Sequence, residues 1–191
     1  MTHDDATSLF YRHIWPQRAM VLRTAGFLAR NMSVAEDLAQ ETLVKAFKSM
    51  DKFDVTSNAK AWVSSILRNT WIDHLRATGK HGAVSLEDSE VDVAETRSAV
   101  AELDMGDPEA LLERFSDAEM ITALRTLPEE IRWTLMLVDV EGLDQGEAAE
   151  VLGVPEGTVK SRAFRGRKML REQLTGMKND ELGIKKKEGR L

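Results

Sequence analysis

Residues 143–170 read LDQGEAAEVLGVPEGTVKSRAFRGRKML, and this stretch predicts two helices joined by a tight turn. Asp144 can cap the first helix, Gly153 permits a left-handed turn, and Pro155 suits the start of the second helix. In the second helix, spacings of 4, 3 and 4 place four small or apolar residues on one inward face: Val159, Ala163, Gly166 and Leu170. The pattern predicts a helix-turn-helix over residues 145–164.

The opposite face of the second helix is cationic and carries one aromatic side chain. It contains Gly157, Lys160, Ser161, Phe164, Arg165 and Lys168. Cations bind phosphates through counterion release, and Arg, Lys and Ser also reach base edges in the major groove. Phe164 either contacts a thymine methyl or folds back into the core. A basic face alone fits a solvated surface helix equally well, but the turn and the small packing residues before it favour DNA binding.

Charge is segregated along the chain of 191 residues, whose net charge is −6. Residues 83–120 hold twelve acids and two arginines, a net of −10, whereas residues 156–191 hold eleven cations and five acids, a net of +6. This asymmetry indicates an acidic connector next to a nucleic-acid-binding face.

Several classes of protein are excluded by composition. The absence of cysteine excludes disulfides and thiolate metal sites, and the four histidines lack metal-ligand spacing, so we expect no metal and no cofactor. No run of about 18 apolar residues or secretory signal is found, which predicts a cytoplasmic protein without membrane insertion. A phosphate loop and a paired histidine and nucleophile are also absent, so we expect no enzyme.

All of the periodic segments predict helices, at residues 5–31, 34–50, 59–76, 117–126, 128–140, 144–152 and 155–174. Pro16 marks a start or a kink in the first segment, and Ser33 with Glu36 forms a capping-box pattern before the second. The predicted fold class is all-α. Two small helical domains, residues 5–80 and 117–175, are joined by a flexible acidic linker at 81–116 and followed by a disordered basic tail at 176–191.

The helix predicted after Ser33 has an inward stripe of Ala35, Ala39, Leu43, Ala46 and Met50. Its other side contains Asp37, Gln40, Glu41, Val44 and Lys48, so one apolar residue lies among polar ones. The pattern fits a docking surface for another helix or an ordinary solvated face, and it does not decide between them.

Three motifs in order resemble the extracytoplasmic-function class of the sigma-70 family of transcription initiation factors. AEDLAQETLVKAF at residues 35–47 resembles the family's D-x-x-Q-E-x-[FL] helix. AWVSSILRNTWIDHLR at 61–76 resembles its W-[LV]-x-x-I-x-R-N-x-x-x-D-x-x-R pattern, and residues 127–170 resemble its C-terminal DNA-binding region. The matches cover residues 8–78 and 117–174.

The resemblance implies a factor that binds core RNA polymerase and directs it to the −10 and −35 elements of promoters, in an alternative regulon of the stress or envelope type. It implies partners in the clamp helices of the largest subunit, the flap region and promoter DNA, and it admits an anti-sigma factor. It assigns the clamp contact to Asp37, Gln40, Glu41, Val44 and Lys48.

The resemblance also divides the DNA contacts between the two domains. The −10 candidates are Asp54, Arg68, Asn69, Trp71, His74, Arg76 and Lys80. Trp71 and His74 either stack on bases or pack within the domain, whereas Trp62 and Ile66 fit the core. The −35 candidates are Lys160, Ser161, Phe164 and Arg165 at base edges, with Thr158, Arg162, Arg167 and Lys168 on the backbone.

The chain departs from the family pattern after Asp73, where a run of arginines is usual and this sequence has only LRATGKHG. The acidic linker either threads the RNA path of the polymerase or serves as a solvated tether. A competing interpretation is a helix-turn-helix regulator that binds DNA without polymerase. The N-terminal half argues against it, because neither a phosphoacceptor site nor a coiled-coil seam is evident there.

Overall fold

The structure, a computed structural model, describes residues 3–29, 31–79 and 117–181, and every regular element in these ranges is helical. Helices α1 to α4 span His3–Leu9, Arg18–Ala29, Met32–Lys48 and Ala59–Ala77. Helices α5 to α8 span Asp117–Thr126, Glu129–Leu135, Gln145–Leu152 and Glu156–Glu181. We call α1–α4 the N-terminal unit and α5–α8 the C-terminal unit. The all-α prediction is confirmed for the part of the chain described here.

The first predicted helical segment is interrupted around Pro16. After α1, a π-helical turn at Phe10–Ile14 and a 3-10 turn at Trp15–Gln17 precede α2. Proline lacks an N–H donor and its ring crowds the preceding turn, so the regular α-helical hydrogen bonds are broken here. Phe10 and Ile14 remain buried, which anchors the irregular segment on the core.

Helix α3 begins earlier than the capping-box pattern predicted. Asn31 is the N-cap residue, and its side-chain oxygen accepts a hydrogen bond from the backbone N–H of Val34 at 3.2 Å. Ser33, the predicted cap, is the second residue of the helix. Asn is at least as good an N-cap as Ser, so the earlier start costs nothing in capping energy.

The N-terminal unit is held together by α2, α3 and α4. On α4, Val63, Leu67, Trp71 and Leu75 recur at helical spacing and are buried. Fully burying a side chain such as Leu67 contributes ~1.5–3 kcal/mol relative to leaving it exposed. The inward stripe predicted on α3 is buried except for the half-buried Leu43, and Leu38 and Thr42 join it.

The last helix is longer than predicted. The basic tail was expected to be disordered from residue 176, whereas α8 continues to Glu181. Leu170 and Leu174 are buried against the rest of the C-terminal unit, which fixes this end of the helix. Gly176 lowers helix propensity by only about 1 kcal/mol and therefore does not end it. Residues 182–191 and the predicted linker at 81–116 lie outside the described residues.

The two units pack on each other through α4 and α7. One cluster of buried apolar side chains runs from Ile14, Val21 and Leu67 of the N-terminal unit to Leu137 and Leu152 of the C-terminal unit. A second cluster, which includes Leu127, Ile131 and Leu135, lies within the C-terminal unit, where α8 covers it. The helix-turn-helix is therefore positioned by its own core and by the N-terminal unit.

Candidate nucleic-acid interface

The helix-turn-helix forms as its sequence predicts. Asp144 accepts a hydrogen bond from the N–H of Glu147 at 2.8 Å, and the Glu147 carboxylate accepts one from the N–H of Asp144 at 3.0 Å. This capping box starts α7. Gly153 follows α7 with a φ of 67°, a left-handed conformation that glycine adopts at little cost. The turn then directs the chain into α8.

Helix α8 approaches α6 closely along its inward face. Val159, Ala163 and Leu170 are buried, as the spacing predicted. A Cβ placed on Gly166 would lie 2.6 Å from Cγ2 of Ile131 and 2.7 Å from Cδ1 of Leu135. Only glycine allows this contact between the two helices, and the contact fixes which face of α8 points outward.

The outward face of α8 carries the candidate −35 residues. Lys160, Arg165 and Lys168 are exposed. Phe164 is half-buried, which is intermediate between the two predicted alternatives of an exposed DNA contact and a core position. Lys160 also pairs with Glu156 at 2.7 Å. Thr158, Ser161 and Arg162 are half-buried, and the hydroxyl of Ser161 donates to the carbonyl of Thr158 at 3.0 Å. Exposed guanidinium and ammonium groups on a helix of this kind suit phosphate and base-edge contacts.

Arg167 differs from its neighbours because it is engaged within the C-terminal unit. Its guanidinium makes two hydrogen bonds to Asp139, at 2.6 Å and 3.0 Å. The hydrogen bond and charge of Asp139 raise the pKa of Arg167, although its partial burial acts in the opposite direction. The assignment of Arg167 to the DNA backbone stays a prediction, and in this conformation Asp139 already occupies two of the guanidinium donors.

The loop before α4 is organised by Asp54. Its carboxylate accepts hydrogen bonds from the N–H and the hydroxyl of Thr56, at 2.8 Å and 2.7 Å. These two bonds lower the pKa of Asp54, so the exposed carboxylate is charged when the loop holds this shape. Asp54 thus shapes the loop while its remaining surface is accessible.

The candidate −10 residues of α4 are divided between two faces. Asn69 and Arg76 are exposed, and Arg76 lies 3.6 Å from Asp73. Arg68 is half-buried. Burial and the charge of Arg162 lower the pKa of Arg68, in that order, while Glu129 acts in the opposite sense. Lys80 lies outside the described residues.

Trp71 does not have the accessibility that base stacking requires. Its side chain is only 8% exposed, and its indole N–H donates to Glu129 of the C-terminal unit at 2.7 Å. Its ring stacks on His74, with centroids 5.6 Å apart and planes 14° from parallel. In this conformation Trp71 is packed against Glu129 of α6, so its stacking on bases stays a prediction that requires this contact to open.

The candidate clamp residues lie together on α3. Asp37, Gln40, Glu41 and Lys48 are exposed, and Val44 is 51% exposed although it is apolar. Lys45, which the sequence did not single out, pairs with Glu41 at 2.9 Å and with Asp73 of α4 at 3.5 Å. The surface therefore combines fixed polar groups with one apolar side chain, a composition suited to packing against another helix.

The pattern also missed the polar groups that join the two units. Arg23 makes hydrogen bonds of 2.9–3.1 Å to the carboxylate of Glu141, and Lys60 donates to the backbone carbonyl of the same residue. Asn58 donates to Glu147 at 2.7 Å. These contacts join residues 81 to 118 positions apart, so no local period could have revealed them.

The described residues contain no group of three or more His, Cys, Asp or Glu side chains arranged to hold a metal ion. None of their helices is both long and apolar enough to cross a membrane.

Comparison with known proteins gives two matches to family models. "Sigma-70 region 2" matches residues 17–81, and "Sigma-70, region 4" matches residues 117–170. The ECF RNA polymerase sigma-E factor of Haemophilus influenzae is 31% identical over 156 residues, which cover 80% of this chain and 82% of that protein. The ECF RNA polymerase sigma factor SigE of Mycolicibacterium smegmatis is 33% identical over 154 residues, 81% of this chain and 57% of that longer protein.

Among solved structures, the sigma factor RpoE in complex with the anti-sigma factor NepR, from Bartonella quintana, has a TM-score of 0.65 and 27% identity. The match covers 87% of this chain and 96% of that one. The similarity extends across both units and is not confined to the helix-turn-helix.

Proposed function

Because this chain belongs to the extracytoplasmic-function class of the sigma-70 family, we propose that it reads two promoter elements for RNA polymerase, the −35 element with α8 and the −10 element with α4 and the preceding loop. As a sigma factor it is not an enzyme, and it directs transcription by RNA polymerase. We further assign it to an alternative regulon and, since it works with core polymerase, to the cytoplasm.

The observation that carries the −35 assignment is the outward face of α8. A capped helix, a left-handed glycine and the close contact at Gly166 hold this face away from the core. Lys160, Arg165 and Lys168 are exposed on it. Cations presented in this way on a fixed helix can reach base edges in the major groove and the phosphates beside it.

The partners proposed for the factor are core polymerase and an anti-sigma factor. The exposed residues of α3, with Val44 among them, support a contact with the clamp helices of the largest subunit. The flap region is the proposed partner of the C-terminal unit. The structural relative with a TM-score of 0.65 is bound to an anti-sigma factor, which supports a partner of that kind here.

Run-off transcription with purified core polymerase on a genomic promoter library tests the proposal. We expect transcripts that begin at a shared set of promoters and require this chain. A gel shift with and without core separates the proposal from a regulator that binds DNA alone. Tight, sequence-specific binding by the free chain, unchanged when core is added, would favour the regulator.

A further inference from the structure

One carboxylate lies among the cations on the outward face of α8. Glu156 is the first residue of the helix, and Lys160, Phe164 and Lys168 follow it at intervals of four residues along the same side. The side chains of Glu156 and Lys160 are 53% and 57% exposed, and the carboxylate lies 2.7 Å from the ammonium group. The acid therefore belongs to the face that we assign to the −35 element.

Stability alone gives this acid only a weak role. A carboxylate in the first turn of a helix interacts favourably with the helix dipole, and the pair with Lys160 adds a contact across one turn. Both contributions are small for groups that are more than half exposed. Repulsion from DNA phosphates acts against them, since a carboxylate on a DNA-facing helix opposes the attraction that its cations supply. A role in reading bases would account for an acid at this position.

The first turn of the second helix is the part of a helix-turn-helix that contacts base edges in the major groove. A carboxylate can only accept hydrogen bonds, and cytosine presents its N4 amino group there as a donor, whereas guanine and thymine present acceptors. Lys160 has the complementary chemistry, because its ammonium group only donates and guanine offers O6 and N7 as acceptors. Glu156 and Lys160 thus fit the two halves of one base pair.

The spacing of the two side chains also fits a base pair. In a G·C pair, O6 of guanine accepts from N4 of cytosine at about 2.9 Å, an ordinary N–H···O distance. The ammonium nitrogen of Lys160 and the carboxylate oxygen of Glu156 are 2.7 Å apart. Side by side, Lys160 can therefore donate to O6 while Glu156 accepts from the second hydrogen of N4. Their own contact orients Lys160, whose four-carbon stem is otherwise flexible.

We infer that Glu156 and Lys160 act as one unit that reads a single G·C base pair of the −35 element, with Lys160 on the guanine and Glu156 on the cytosine. This inference rests on the proposed function, and it adds Glu156 to the residues that recognise DNA.

The unit requires an acceptor on the strand that Lys160 contacts and a donor on the other strand. With the strand at Lys160 written first, G·C and T·A share that order, whereas C·G and A·T reverse it. G·C should be preferred over T·A, because guanine also offers N7 to Lys160 and the N7 acceptor of adenine repels Glu156. The inference thus predicts a ranking of all four base pairs at one position.

The measurement is the affinity of the holoenzyme for promoter fragments in which each −35 base pair is replaced in turn by the other three. The starting fragment is a promoter found by run-off transcription, and the salt concentration is held constant because phosphate contacts depend on it. At one position the wild type should bind G·C about tenfold more tightly than C·G, with T·A in between. Absence of any position with this ranking would overturn the inference.

Three variants separate base reading from charge. Glu156→Gln has an amide that donates as well as accepts, so the preference at that position should fall below about threefold while affinity for the other fragments rises. Glu156→Asp keeps the charge but is one methylene shorter, so it should lose the preference without that gain. Glu172→Gln removes another exposed acid, on the opposite side of α8, and should leave the preference unchanged.

The preference is a ratio of affinities measured on one preparation, so a partial loss of folded protein cancels from it. An unchanged preference in Glu156→Gln, or an equal loss in Glu172→Gln, would therefore refute the role of Glu156 whatever the stability of the variants.

Lys160→Ala tests whether the two side chains share one base pair. The single variants Glu156→Gln and Lys160→Ala should flatten the preference at the same position. The double variant should flatten it no further than the stronger single variant, because residues that act as a unit are not additive. Losses at two different positions would overturn the shared base pair.

Failure of this inference differs from failure of the proposed function. If no −35 substitution changes the affinity of the holoenzyme for the promoter, α8 does not read this element and the proposed function fails. If −35 substitutions matter but the profile of Glu156→Gln matches that of the wild type, only the role of Glu156 is wrong.

Discussion

Arg165 and Lys168 are both exposed cations on α8, and the resemblance to the family assigns Arg165 to a base edge and Lys168 to the DNA backbone. Arg165→Ala should cost about 1–3 kcal/mol of binding, concentrated at particular −35 positions, because base edges differ between sequences. Lys168→Ala should weaken binding similarly on all sequences and make the salt slope shallower by about one unit.

The measurement is the affinity of the holoenzyme for a set of −35 variants at several salt concentrations. The two substitutions control for each other, since each removes one positive charge from the same face. Equal losses on every −35 variant for Arg165→Ala would remove it from the base-reading residues. Lys160, Ser161 and Phe164 would then account for the specificity.

Arg167 should act on stability more than on DNA recognition. Its two hydrogen bonds to Asp139 are partly buried, so Arg167→Ala leaves the carboxylate with neither partner nor full hydration. We expect a loss of about 1–3 kcal/mol in the free energy of unfolding, measured with urea. Lys168→Ala, at an exposed position, should change it by less than about 0.5 kcal/mol. A variant at 167 that unfolds like the wild type would show that the pair contributes little.

At the scale of the element, the close contact between α8 and α6 decides whether replacing a glycine of α8 with alanine stabilises or destabilises the protein. Where a helical glycine has free space around its Cα, replacing it with alanine stabilises the folded protein by up to about 1 kcal/mol, because alanine has the higher helix propensity. At Gly166 the added methyl group meets Ile131 and Leu135 at less than 3 Å, so overpacking should cost about 1–3 kcal/mol instead.

Gly157 provides the control within the same helix. A Cβ there meets nothing within 4 Å, so Gly157→Ala should be neutral or stabilising. Thermal unfolding of the two variants measures the difference. Equal stability changes at 157 and 166 would mean that α8 can move away from α6 at little cost.

The clamp contact belongs to α3 as an element, because its residues share one exposed face. Gln40→Ala combined with Val44→Glu removes a polar contact and places a charge where an apolar side chain is 51% exposed. Binding to core polymerase should fall while helicity is unchanged, as measured by pull-down and circular dichroism. Met32→Ala, at an exposed position of the same helix but on a different face, serves as the control. Undiminished binding by the folded double variant would refute the assignment.

The helices themselves could be predicted from sequence because their signals are local. Asp144, Gly153 and Pro155 act on their immediate neighbours, and the apolar spacing of α8 is a property of one helix. The error at α3 arose because Asn31 and Ser33 offer competing caps two residues apart, and the pattern alone could not rank them. Glu36 completed a capping-box pattern at Ser33 that the structure does not use.

At the scale of the whole molecule, sequence patterns fail for a physical reason. The helix pattern left Trp71 open between base stacking and packing, and in the structure its indole donates to Glu129, 58 residues away. Arg167 was assigned to the DNA backbone by resemblance to the family, and in the structure it is hydrogen-bonded to Asp139, 28 residues away. Pairing between distant residues depends on how helices pack, and neither spacing nor composition records it.

The buried cluster that crosses from one unit to the other should make their unfolding cooperative. Leu137 and Leu152 share this cluster with Leu67, so unfolding either unit exposes apolar surface of the other. An environment-sensitive dye on Glu36→Cys reports on the N-terminal unit and one on Glu172→Cys on the C-terminal unit. In the otherwise unchanged free chain the two urea transitions should coincide, since coincidence of probes is the mark of a single cooperative unit.

In the triple variant Glu129→Gln, Glu141→Gln, Glu147→Gln, the polar contacts that hold the units together are weakened and the two midpoints should separate. Separate midpoints without these substitutions would mean that each unit is stabilised by its own core, and that the contact between α4 and α7 adds little to either.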